Sequence, residues 1–181
     1  MSALNTLHFK GFTLRPAGEA DRRLAEQWTA QDAEHAGKID PGFWLEQRLG
    51  VDSVLVLDGK GPVFFFKAAM YDKKKAGEMG PGKRVAQVFI QFMPRATEED
   101  RERTRTALTL GMQWLEPVLE QGGAEEIFFD SGNEKLIAFC VKRLGFEIAP
   151  SFTEYHGAAA LVNQGYACLR KGLRPQVMTV I

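Results

Sequence analysis

A chain of 181 residues, 45% hydrophobic and 25% charged, is long enough to bury a core without metal or disulfide staples and too apolar for a disordered segment. Its 23 basic and 23 acidic side chains cancel, so no net field draws it to nucleic acid or to an anionic membrane. Cys140 and Cys168 lie in apolar stretches outside any CxxC pair, which favours buried free thiols over a zinc site or a disulfide framework; no metal is expected. Met1 to Lys10 lacks a charged start followed by an apolar run, and no apolar stretch reaches about 18 residues, so a cytoplasmic protein without membrane contact is expected. The whole chain, 1–181, reads as one domain without internal repeats.

Phe12 to Arg15 form a short alternating run stopped by Pro16, a strand. Glu19 to about Ala36 follows with Leu24, Ala25 and Trp28 at helical spacing, and Gly37 is its natural stop. Asp40 and Pro41 then form an N-cap with proline at the first helical position, opening a second helix through Phe43, Trp44 and Leu49 to Gly50. Ser53 to Leu57 and Pro62 to Met70 are β-rich runs joined by Asp58, Gly59, Lys60 and Gly61, the chemistry of a hairpin. Tyr71 to Arg84 is basic and glycine-rich, and is expected to be a mobile loop.

Val85 to Met93 alternates so that Ala86, Val88, Ile90 and Phe92 share one apolar face, the mark of a third meander strand. Thr97 with Glu98, Glu99 and Asp100 opens a long helix lined by Ala107, Leu108, Gly111, Leu115, Val118 and Leu119, with a kink expected at Pro117 and a stop at Gly122 and Gly123. Ile127 to Phe129 is a short strand, Asn133 to Leu144 a helix closed by Gly145, and Gly165 to Leu173 a last strand.

This order resembles that of the GNAT superfamily of acyl-CoA N-acyltransferases over Phe12 to Leu173. The run from Ser131 to Phe146 is similar to that family's late signature, in which asparagine opens a helix that closes in lysine, leucine, glycine and phenylalanine; here these are Asn133, Lys142, Leu144, Gly145 and Phe146. The resemblance implies an α/β, α+β layered fold: a mixed, largely antiparallel central sheet flanked by helices on both faces. It also implies an acetyl-CoA or other acyl-CoA donor, and a small-molecule or peptide amine as acceptor. Cofactor contact falls to Phe89, Gln91, Arg95, Arg101 and Asn133, although Asn133 reads equally well as an N-cap that needs no ligand.

The chain departs from the family's pattern where the chemistry sits. Relatives in that family hold the pyrophosphate on backbone amides of a glycine-rich turn before the long helix. Here that turn is Phe92 to Asp100, with no glycine and with Pro94 removing a donor. Three carboxylates already satisfy the helix dipole, and Arg95, Arg101, Arg103 and Arg105 either offset them for a phosphate or form a solvated face with pairs such as Glu99 with Arg103. The place of the family's proton-donating tyrosine is taken by Val141, with Cys140 beside it as a substitute acid or a packing residue. Gln87 and Gln91 occupy the strand that often bears a base, take up no proton at neutral pH, and are each accounted for by a solvent-facing position.

His35, and His156 with Glu154 and Tyr155, are the remaining candidate bases. Trp28, Phe43 and Trp44 form part of an acceptor rim by resemblance, or pack in the core. Phe64, Phe65 and Phe66 are consecutive, so at least one must leave the others' face, and an apolar outer face there would support a homodimer. Two functions are expected: a divergent acyltransferase relying mainly on positioning, and, as the alternative, a non-catalytic GNAT-fold binding, assembly or regulatory module. Nucleic-acid binding through Lys73 to Arg84 is least favoured, because aromatic interleaving is missing.

Overall fold

A computed structural model describes residues 5–73, 82–149 and 166–173. They form eight strands, hydrogen-bonded in the order β1-β2-β3-β4-β5-β6-β8-β7, and three α-helices. Packing groups the chain into two units, Met1–Ala69 with Val88–Trp114 and Met70–Gln87 with Leu115–Ile181. No helix among the described residues is long and apolar enough to cross a membrane.

The first unit begins with β1 (Leu7–Phe9) and β2 (Phe12–Pro16), an antiparallel pair. Its two-residue turn puts Lys10 at φ 47° and Gly11 at φ 83°, the doubly left-handed turn whose twist matches that of the strands. β2 pairs antiparallel with β3 (Val51–Asp58), and β3 with β4 (Gly61–Lys73) across the expected hairpin, where the Asp58 carboxylate accepts the Lys60 amide at 2.8 Å. All three consecutive phenylalanines are buried: Phe65 meets Trp28 from α1 (Arg22–Gln31) at 5.5 Å, and Phe64 meets Phe92 at 6.0 Å. The expected apolar outer face is therefore not present at these residues.

Both helices expected after the first strand end early. α1 stops at Gln31 because Asp32 turns extended (φ −92°, ψ 116°) and its side chain accepts the Glu34 amide at 2.9 Å. A separate turn follows, with the His35 and Ala36 amides on the Asp32 carbonyl and those of Lys38 and Ile39 on that of His35. The second segment has the expected Asp40 cap and Pro41, but it is a 3₁₀ helix, Pro41–Leu45. Beyond it Leu49 is 85% exposed, so no apolar face exists to hold a longer helix in place.

β5 (Lys83–Phe92) contributes its outer half to the first unit and its opening residues to the second. The expected loop 71–84 is shorter than its composition suggests: Tyr71, Asp72 and Lys73 continue β4, and Lys83 and Arg84 begin β5. Its residues 74–81 lie outside the described ones. α2 (Glu98–Gln121) opens on a reciprocal cap, the Asp100 amide donating to Thr97 Oγ1 at 3.1 Å and the Thr97 amide to Asp100 Oδ2 at 3.0 Å. Ala107, Leu108, Leu115 and Leu119 are buried as expected, but Val118 is exposed and Met112 takes a core place instead.

In the second unit β5 pairs parallel with β6 (Glu126–Ser131), β6 antiparallel with β8 (Ala167–Gly172), and β8 antiparallel with the short β7 (Glu147–Ile148). α3 (Glu134–Arg143) starts where Asn133 Oδ1 accepts the Lys135 and Leu136 amides, each at 3.1 Å. It ends at Gly145, φ 75°, where the Phe146 amide reaches back to the Cys140 carbonyl at 3.2 Å. Phe146 then packs edge-on against Phe129 at 5.2 Å.

Candidate functional site

The polar group least expected of a core strand is Gln91. It sits one residue from the end of β5 with no exposed surface, not facing solvent as the sequence suggests. A buried amide needs partners, and this one has them on both ends. Its Oε1 accepts from His35 Nδ1 at 2.7 Å, and its Nε2 donates to Asp32 Oδ2 at 2.9 Å and to the Phe92 carbonyl at 3.1 Å. Asp32 Oδ2 is also 3.4 Å from His35 Nδ1. Because the glutamine oxygen only accepts, Nδ1 must carry the proton, and a neutral His35 keeps its lone pair on Nε2.

The turn after α1 is what brings these groups together. Had the helix continued to Ala36, Asp32 could not have capped the Glu34 amide while meeting Gln91. Burial opposes ionisation of Asp32, but its hydrogen bonds to His35, the Glu34 amide and Gln91 outweigh that, and its carboxyl falls to about 2. Burial likewise works against the His35 cation, and the bonds to Asp32 and Gln91, with the nearby Glu34, raise its affinity for a proton above the ordinary value.

An aromatic row runs beside the histidine. The Trp44 ring lies 5.3 Å from His35, Phe43 stands edge-on to Trp44 at 5.0 Å, and Phe89 edge-on to Phe43 at 5.0 Å. Of the expected rim, Trp28 and Trp44 are core residues, Trp44 donating to Thr29 Oγ1 at 3.1 Å, and Phe43 is half-buried; Phe89, expected to contact the cofactor, is half-buried beside it. The Lys67 ammonium, almost wholly buried, sits 3.4 Å from the centre of the Phe43 ring and bonds the Phe43 carbonyl at 3.0 Å and Glu46 at 2.5 Å. Lys67 and Gln91 are two of the buried polar groups that alternation alone could not place. Only the Asp32-x-x-His35 spacing offered a signal in the sequence.

The other candidates are dispersed. Cys140 is a free thiol, 2% exposed and pushed up to about 12 by burial, which leaves it a poor acid for a departing thiolate. Cys168 is also free and buried. Val141 is exposed on α3. Asn133 spends its oxygen on two amides as a cap. His156, Glu154 and Tyr155 lie outside the described residues.

At the start of α2 the charges pair differently from the expected helix face. Arg103 leaves Glu99 and makes a two-pronged bond to Asp58 at 2.7 and 2.8 Å, while Glu99 pairs with Lys60. Arg101 bonds Glu98 at 2.7 Å, and Arg105 bonds Glu98 and Glu102. The exposed Arg95 stacks over Phe92 at 4.8 Å and has no carboxylate partner among the described residues. The Thr97 and Asp100 amides are already satisfied within the cap. A phosphate held here would rest on Arg95 and the remaining amides of the first turn, not on a glycine cradle.

No family model matches the chain, and no curated protein does. Solved structures do match. An aminoglycoside acetyltransferase, AAC(6')-Ib, in complex with paromomycin and acetyl-CoA is 16% identical, with 95% of this chain and 99% of that one covered and a TM-score of 0.61. A spermidine N-acetyltransferase SpeG chimera from Vibrio cholerae and hSSAT is 12% identical, covering 91% and 97%, at 0.57. The GNAT domain of S. lividans PAT is 14% identical, covering 90% of each chain, at 0.53. At such identities the likeness shows the fold, and the fold is that of the GNAT acetyltransferases, as the sequence implied.

Proposed function

We propose that the chain is a divergent N-acyltransferase that moves an acyl group from an acyl-CoA thioester to an amine. The observation that carries this reading is the Asp32–Gln91–His35 chain, a hydrogen-bonded polar assembly anchored on a glutamine of β5 that has no exposed surface. Packing alone does not call for it, since an apolar residue at 91 with Asp32 and His35 turned to water would fill the same place. An open groove lined in part by Glu26, Thr29, Lys38 and Asp40 follows the same turn and offers carboxylates to a cationic acceptor. Structural neighbours that are aminoglycoside and spermidine acetyltransferases, one holding acetyl-CoA, support an amine acceptor and this donor.

The second reading, a non-catalytic module, is favoured by one feature: the reciprocal cap of Thr97 and Asp100, which consumes amides that the resemblance would give to the pyrophosphate. Thermal unfolding with and without millimolar acetyl-CoA and CoA separates the two. A ligand at about 100 times its dissociation constant adds roughly 2.7 kcal/mol, or about 5–10 °C for a chain of this size. That shift, followed by thiol release with spermidine or paromomycin, is the expected result. No shift with either ligand refutes acyl transfer and leaves the module.

A further inference from the structure

We propose that His35 is the general base of this reaction, its Nε2 taking the proton from the acceptor amine while Gln91 and Asp32 hold the ring. The proposal rests on the acyl-transfer reading above. Its basis is directional. Nδ1 is turned inward onto a fully buried glutamine, Nε2 is the ring nitrogen left over, and 17% of the His35 side chain stays exposed. Among the described residues no hydrogen bond occupies Nε2.

A base needs one fixed tautomer and a lone pair with access, and the chain supplies the first condition twice. Gln91 Oε1 accepts only, so it selects the Nδ1–H form. Gln91 itself cannot flip without presenting its amide protons to Nδ1–H, because its Nε2 is anchored on Asp32 and on the Phe92 carbonyl. The ring is further confined by Trp44 at 5.3 Å. The charged groups that bear on it are Asp32 and Glu34 from its own turn, with uncharged Gln91 from β5 and Trp44 from the 3₁₀ segment. Lys67 is paired with Glu46 at 2.5 Å.

In the step itself an ammonium R–NH₃⁺ gives one proton to Nε2. The freed lone pair then attacks the thioester carbonyl, the N–C bond forms and the C–S bond breaks. A second N–H proton passes through solvent to the departing CoA thiolate, and His35 returns its proton to solvent. Asp32 stays ionised throughout and supports the transient imidazolium. His35 is the catalytic residue; Gln91 and Asp32 are positioning residues.

The test is the pH profile of thiol release from acetyl-CoA with spermidine and with paromomycin as acceptors, for the wild type, His35→Gln, His35→Ala and Gln91→Leu. The wild type should lose rate as pH falls, with an apparent pKa above the ordinary histidine value. His35→Gln should lower kcat by about 100-fold or more and abolish that acid limb, while keeping the acetyl-CoA melting shift, which shows that it folds and binds. Added imidazole should restore part of the rate of His35→Ala, and Gln91→Leu should move the acid limb to lower pH. Turnover by His35→Gln with a wild-type rate and profile overturns this proposal alone. A wild type that neither binds nor turns over acetyl-CoA overturns the acyl-transfer reading and this proposal with it. Independently of any acceptor, ¹⁵N spectra of the neutral ring should show the proton on Nδ1; a proton on Nε2 refutes the assignment.

Discussion

Replacing Asp32 by Asn removes one charge and leaves the shape, so its cost isolates the electrostatic part of the buried chain. The Asp32 carboxyl falls from 3.8 to about 2 in the folded protein. At about 1.4 kcal/mol per tenfold change in proton affinity, that is roughly 2 kcal/mol of stability. The group is 23% exposed, so solvent screening leaves most of this in place. The sign follows from the depressed value: the contribution is present above the unfolded value and lost as pH falls through the folded one. About half should remain at pH 3. His35 has the opposite sign, its raised affinity stabilising below the unfolded value and fading as pH rises through the folded one. Urea unfolding at pH 7 should therefore show Asp32→Asn less stable by about 2 kcal/mol, or roughly 4–8 °C in Tm, with the gap narrowing to about 1 kcal/mol at pH 3. An equal loss at both pH values would mean that the asparagine amide clashes with Gln91 Nε2 and that ionisation is not the cause. No loss at pH 7 would refute the buried chain itself.

Arg103→Ala should cost about 1–2 kcal/mol in urea at pH 7, because both prongs of the bond to Asp58 are lost and the two side chains are only 18% and 15% exposed. A solvated helix-face pair would cost about 0.3–0.5 kcal/mol, and a loss that small would return Arg103 to that role. Asn133→Ala should lower stability by about 1 kcal/mol by freeing the Lys135 and Leu136 amides, with the acetyl-CoA melting shift unchanged. A smaller acetyl-CoA shift in that variant would assign Asn133 to the ligand instead.

What the sequence made legible was what local chemistry decides. The hairpin at Asp58 to Gly61, the cap at Asn133 and the left-handed stop at Gly145 follow from side chains within a few residues of each other. The strand β1 was missed because three residues give too short an alternation, and because Lys10 is an unusual residue for the first position of its turn. The end of α1 differs from the expected one because Asp32 is compatible with a helix until a partner 59 residues away donates to its carboxylate. Gln91 and Arg103 failed for the same reason. Polar residues in an alternating strand or on a helix default to solvent, and only tertiary pairing shows that one is buried beside His35 and the other committed to Asp58.

The two halves of the proposed reaction stand on unequal footing, and the inequality is informative. On the acceptor side the molecule maintains a buried glutamine whose oxygen and nitrogen are both committed, an ionised aspartate and a histidine of fixed tautomer. Burying such groups gains little stability over an apolar replacement even when every bond is made. On the donor side the glycine turn is replaced by a self-capped helix start, with Arg95 as a cation lacking a carboxylate partner among the described residues. A scaffold that had abandoned chemistry would have no physical need for the first arrangement, whereas an enzyme can accept the second if cations replace amides in holding the phosphates. Acyl transfer with an altered donor grip accounts for both sets of residues; an inert module accounts only for the helix start.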